Sequence, residues 1–133
     1  MKRILFILGL LFSLSPLSAE VWKFTAYEFS CRYYDTYAYS WSSWSDWEDC
    51  NLLIVVDTYK ERVTIYSSET QVFDIISTTG TRRDSDGNDI SQFTCIDSRG
   101  LRCGMRVINC QNGTNQLYLD YSDFMYVYNI QSR

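Results

Sequence analysis

The sequence predicts an all-β protein: a single small antiparallel domain of about eight or nine short strands in a hairpin-rich meander. Most segments alternate apolar and polar residues with period two, and valine, isoleucine, tyrosine, phenylalanine and threonine dominate them. Glycine, asparagine and aspartate punctuate the intervals, and no window of a dozen residues carries a helical stripe. A meander of this size forms a barrel or a sandwich; closure removes exposed strand edges, which favours the barrel.

The chain opens on an address. Lys2 and Arg3 precede an apolar run over 4–12, followed by Ser13, Ser15, Pro16, Ser18 and Ala19. A basic start, an apolar stretch too short to span a bilayer and a small-residue end read as a secretory signal peptide, residues 1–19, cut after Ala19. Residues 20–133 are then one all-β domain, exported to the periplasm, the cell surface or the medium.

Within that domain the first strand covers 21–31, and Trp22, Phe24 and Ala26 share one phase while Tyr27, Phe29 and Cys31 share the other. Such a phase change predicts a bulge near Ala26. Residues 52–56 and 63–67 flank a polar turn and read as a hairpin, 72–76 is a further strand, and 77–88 reads as a long polar loop. Ser98-Arg99-Gly100 suits a three-residue hairpin loop with glycine in the left-handed position, which sets Cys95 opposite Cys103 and Phe93 opposite Met105. The returning strand, 101–108, turns Leu101, Cys103, Met105 and Val107 to the core. An Asn112-Gly113 turn leads to strands 116–121 and 125–130. Asp57, Asp97 and Asp120 each end a strand, where aspartate side chains bond to turn backbone.

Five cysteines in an exported chain read as disulfides. Cys95 with Cys103 follows from the hairpin register, Cys31 with Cys50 is the default second bridge, and Cys110 is left over.

Charge and composition exclude several functions. With Lys2 and Arg3 removed, ten basic residues face sixteen acidic ones, a net charge of −6 that disfavours nucleic acid and anionic membranes. No later stretch approaches the ~20 apolar residues of a membrane helix, so no transmembrane segment is expected. Histidine is absent, which removes imidazole-dependent hydrolases and the common zinc sites and leaves an enzyme mainly carboxylate chemistry. No cofactor and no metal is expected. Asp84, Asp86 and Asp89 look like a calcium loop, but Arg82 and Phe93 fall where an EF-hand needs acids, and an Asp86-Gly87 turn explains them.

The segment with the most recognition chemistry is 33–49. Tyr33, Tyr37, Tyr39 and Trp41 share a face if the chain is extended, Trp44 and Trp47 continue at a spacing of three, and Asp46, Glu48 and Asp49 lie alongside. Rigid aromatic faces with nearby hydroxyls and carboxylates suit a sugar, or a protein surface. Tyr37, Tyr39, Trp41, Trp44, Trp47 and Asp46 are therefore the candidate ligand-binding residues. The expectation is a secreted, disulfide-stabilised β domain that binds a glycan or an extracellular protein without catalysis, carbohydrate ahead. A protein-interaction or inhibitor module is the alternative, and a small carboxylate-dependent glycoside hydrolase, using Asp120 with Asp123 or the 46–49 acids, is the second.

Overall fold

The alternation of apolar and polar residues folds as it reads. The computed structural model describes residues 21–133, so the signal segment lies outside the described residues. Its strands are β1 (Val21–Asp35), β2 (Ser40–Trp41), β3 (Glu48–Asp57), β4 (Arg62–Tyr66), β5 (Thr70–Arg83), β6 (Asp89–Asp97), β7 (Arg102–Asn109), β8 (Asn115–Asp120) and β9 (Phe124–Ser132). From β3 onward each strand pairs antiparallel with the next, β1 pairs with both β3 and β9, and the result is a closed eight-stranded up-and-down barrel. The extra strand, β2, folds back on the end of β1, with Tyr34 opposite Trp41 and Asp35 opposite Ser40.

Closure depends on the length and bend of β1. The register shifts between Ala26 and Glu28 in both ladders of β1, which is the bulge that the phase change predicts. Before it Phe24 and Ala26 are buried in the core; after it Phe29 packs against the same core, while Ser30 and Arg32 lie on the outer face.

An eight-stranded barrel has an interior just wide enough for its own side chains. Phe24, Phe73, Phe93, Met105, Leu119 and Tyr128 are among those that fill it. Outward positions are mixed, with Lys23, Thr64, Asp74 and Arg102 lying opposite Val55, Val72 and Ile96. No helix of the described residues is long and apolar enough to cross a membrane.

Aspartates make the turns. Asp35 Oδ1 accepts the N–H groups of Tyr37 and Ala38, and Asp57 Oδ1 accepts those of Tyr59 and Lys60. Both turns begin Asp-Thr-Tyr and end on a left-handed residue, Tyr39 at φ 53° and Glu61 at φ 54°. The third, Asp97, accepts from the N–H groups of Arg99 and Leu101, with Gly100 at φ 83°. Asp120 departs from this plan and pairs with Arg106 instead.

Three expectations need correction, the simplest being Leu101, which lies in the turn before β7 at 48% exposure and not in the core. Most of the 77–88 loop is strand: β5 runs to Arg83 and pairs with β6 through register shifts between Ile75 and Ser77 and between Thr78 and Gly80. Those two bulges scramble the alternation that would have marked it. The hairpin register is as expected, Cys95 opposite Cys103 and Phe93 opposite Met105, yet none of the five cysteines is bridged. Asp97 and Leu101 close the turn as a hydrogen-bonded pair, so two residues along, Cys95 and Cys103 also form a hydrogen-bonded pair, the wider class in which side chains stand further apart. Cys31 stands opposite Tyr126, whereas the Cys50 thiol donates to the Ala26 carbonyl further down β1. The expected Cys95–Cys103 and Cys31–Cys50 bridges are both absent.

Candidate functional site

Past Phe29, β3 no longer accompanies β1, and residues 42–47 take its place along that edge. They do so through serine. Ser42 N–H donates to the Tyr33 carbonyl at 2.8 Å while Tyr33 N–H donates to Ser42 Oγ at 3.0 Å. Ser45 N–H donates to the Cys31 carbonyl at 2.8 Å and Cys31 N–H to Ser45 Oγ at 3.0 Å. Each hydroxyl replaces a missing backbone acceptor, so every third residue is tied to β1 and the backbone donors of β1 are satisfied. Ser30, buried below, adds a bond from its Oγ to the Ser45 carbonyl at 2.6 Å.

A three-residue period is that of an extended left-handed chain, and it brings Trp41 and Trp44, each one residue before a tethered serine, to the same side. There the Arg32 guanidinium lies between them, 5.2 Å from the Trp41 ring centroid and 4.7 Å from that of Trp44. Trp44 meets Tyr118 edge-on at 6.0 Å, and Arg106 lies over Tyr118 at 4.2 Å while bonding Asp120 through two nitrogens at 2.6 and 3.0 Å. An alternating row of rings and guanidinium groups thus fastens the segment to the outer face of the barrel.

This divides the six candidate residues. Trp41 and Trp44 are half-buried in the brace, so the expected row of open tryptophans is absent. Trp47 is 47% exposed, and Asp46 beside it is exposed. Tyr37 and Tyr39 project from the β1–β2 turn at 94% and 81% exposure, about as free as side chains can be. The structure therefore brings Trp41 and Trp44 together and leaves the tyrosines and Trp47 as separate exposed faces. A small hollow of about 170 Å³ lies between Trp44, Trp47, Tyr118 and Val127.

A larger site lies at the same end of the barrel and involves none of those six. The turns 36–39, 67–69, 98–100 and 121–123 all fall at this end because successive strands alternate direction. Tyr34 N–H bonds the Asp123 carbonyl at 2.8 Å, tying the β1–β2 arm to the last of these turns. Between the 67–71 turn and the Asp97 and Tyr121 turns opens a groove of about 440 Å³. Ser67, Ser68, Thr70 and Gln71 form one wall, Asp97, Arg99 and Tyr121 the other, with Phe73 and Tyr126 also lining it.

Asp97 organises the second wall. Its Oδ2 accepts the Tyr121 hydroxyl at 2.7 Å and Arg99 Nη2 at 2.9 Å, while Oδ1 serves the turn. Burial opposes its ionisation, but the bonds from Tyr121, Leu101 and Arg99 outweigh that and hold the carboxyl at about 2. Tyr121, desolvated and donating to that carboxylate, has its phenol pushed well above the ordinary value. Arg99 keeps 64% of its side chain exposed with Nε and Nη2 held by Asp97, which orients the remaining guanidinium nitrogen, Nη1. Sequence reasoning misses this groove, because it is assembled from three turns far apart in the chain; only the strand-terminal Asp97 hinted at it.

The 84–89 turn bonds itself. Asp84 Oδ1 accepts the N–H groups of Asp86 and Asn88, both at 2.9 Å. Among the described residues no group of three or more histidine, cysteine or acidic side chains is placed to hold a metal.

No protein-family model, curated protein or solved structure matches the chain.

Proposed function

We propose that this is an exported, non-catalytic binding domain that holds a carbohydrate in the groove at one barrel end. The observation that carries the reading is the groove itself, about 440 Å³ in volume, with hydroxyl and amide groups on one wall and the oriented Arg99 beside Tyr121 on the other. A pyranose needs fixed donors and acceptors around its hydroxyls and an apolar face for its C–H groups. Ser67, Ser68, Thr70, Gln71 and Arg99 offer the former, and Tyr121 with Tyr126 the latter. A hydrolase reading is weaker, since Asp97 is held ionised at about 2, whereas a general acid needs a raised value.

The test is titration of the mature domain with a panel of neutral and acidic oligosaccharides by calorimetry, repeated with Arg99→Ala and Gln71→Ala. Both side chains line the groove outside the core, so binding should fall by about tenfold or more in each variant with the melting temperature nearly unchanged. Variants that bind like the parent would remove the groove from consideration.

A further inference from the structure

Exposed aromatic side chains and carboxylates without a cationic partner among the described residues occur together along residues 33–49. Tyr33, Tyr37 and Tyr39 are 61%, 94% and 81% exposed on the β1–β2 arm, and Trp47 is 47% exposed on its flank. Between residues 33 and 59 the sequence holds no lysine or arginine. Four acids elsewhere are held by arginines: Arg62 pairs with Asp74, Arg83 with Asp89, Arg99 with Asp97 and Arg106 with Asp120. Asp46, Glu48 and Asp49 are exposed, and their carboxylates meet no cation among the described residues. The nearest base along this edge, Arg32, is occupied between Trp41 and Trp44.

We propose that the tyrosine arm and its acidic flank form a docking surface for a basic polypeptide segment of another protein. Guanidinium and ammonium groups are drawn both to the faces of tyrosine and tryptophan and to free carboxylates, so one arginine-rich strand satisfies both features at once. Geometry suits an extended segment. From Glu48, opposite Phe29, to Tyr37 at the arm tip is eight residues of β1 and its turn, about 25 Å, or roughly eight residues of extended chain. The arm is also set in advance: Asp35 holds the N–H groups of Tyr37 and Ala38, Tyr39 takes a left-handed φ of 53°, and the serine tethers fix residues 42–47. Little ordering is then left for the partner to impose. A second copy of this chain is a poor occupant, because it presents the same lysine-free acidic face.

The experiment is fluorescence titration of the full domain with a peptide of about ten residues alternating arginine and glycine, at low and physiological salt. Saturable binding that weakens with salt is expected, together with a change in tryptophan emission. The double variant Tyr37→Ala, Tyr39→Ala should lose about tenfold in affinity at unchanged melting temperature, and the triple variant Asp46→Asn, Glu48→Gln, Asp49→Asn at least as much. Tyr59→Ala, on the matching turn at the opposite barrel end, should bind like the parent. Parental affinity in the tyrosine double variant would overturn the proposal, because binding would then be charge attraction without a surface. A Tyr59→Ala loss equal to that of the arm, sedimentation as a dimer that the arm variants abolish, or arm variants that lose oligosaccharide instead of peptide would each overturn it too.

Discussion

Arg32 lies with its guanidinium 4.7 Å from the ring centroid of Trp44, and that ring turns its edge to Tyr118 on β8. One side chain of β1 therefore adds to the serine tethers that hold residues 42–47 on the barrel wall. Removing it as Arg32→Ala costs two ring contacts and the packing of its stem, about 1–2 kcal/mol together. The expected result is a lower melting temperature with faster amide exchange concentrated in 42–47. Arg32→Lys, which keeps the charge but not the planar group, should fall between the two.

Ser45 is predicted to matter more than its exposed position implies. In Ser45→Ala the Cys31 N–H and the Ser30 hydroxyl both lose a contact, and the former has no replacement acceptor nearby in the ladder. An unmade bond of this kind costs about 1–3 kcal/mol, less where water reaches it. Ser45→Thr retains the hydroxyl and should recover most of that stability. Urea midpoints and the exchange rate of the Cys31 amide read both outcomes.

The acid limb of stability should carry the signature of Asp97. Its folded pKa, about 2, lies below the ordinary carboxylate value, so its contribution is fully present above about pH 4 and is lost as pH falls through 2. In Asp97→Asn the neutral side chain keeps one acceptor for the turn but loses the charge that Tyr121 and Arg99 answer. The variant should melt lower at pH 7, and the gap to the parent should close between pH 4 and pH 2. A gap of constant size across that range would show that the charge contributes nothing.

What could be read in advance followed local rules. The loop at Ser98-Arg99-Gly100 declares itself by its glycine, and the pairing of Cys95 with Cys103 follows by counting outward. The bulge at Ala26 shows as a change of phase. Residues 77–83 hide their strand because two bulges interrupt the period-two signal and glycine breaks the run. Trp41 and Trp44 announce an aromatic site, yet their burial depends on Arg32 and Tyr118, whose positions the spacing of the tryptophans does not encode. The groove is further from reach still, since Gln71, Arg99 and Tyr121 meet only once β5 to β8 have paired in register.

The unbridged cysteines give a graded reactivity. Cys95 and Cys103 are buried in the core, and burial pushes both thiols up, Cys103 to about 11. The thiolate is the reactive species, so both should be nearly inert toward iodoacetamide at pH 8 while the native barrel persists. Cys31, Cys50 and Cys110 are only half-buried and should be modified first, even though burial raises the last two as well. Peptide mapping after timed labelling separates the two groups, and guanidinium chloride should bring all five to a common rate. If Cys95 and Cys103 keep pace with Cys110 in the native protein, the hairpin that carries them is opening to solvent on the labelling timescale, and the packed interior around Met105 is not the stable core described above.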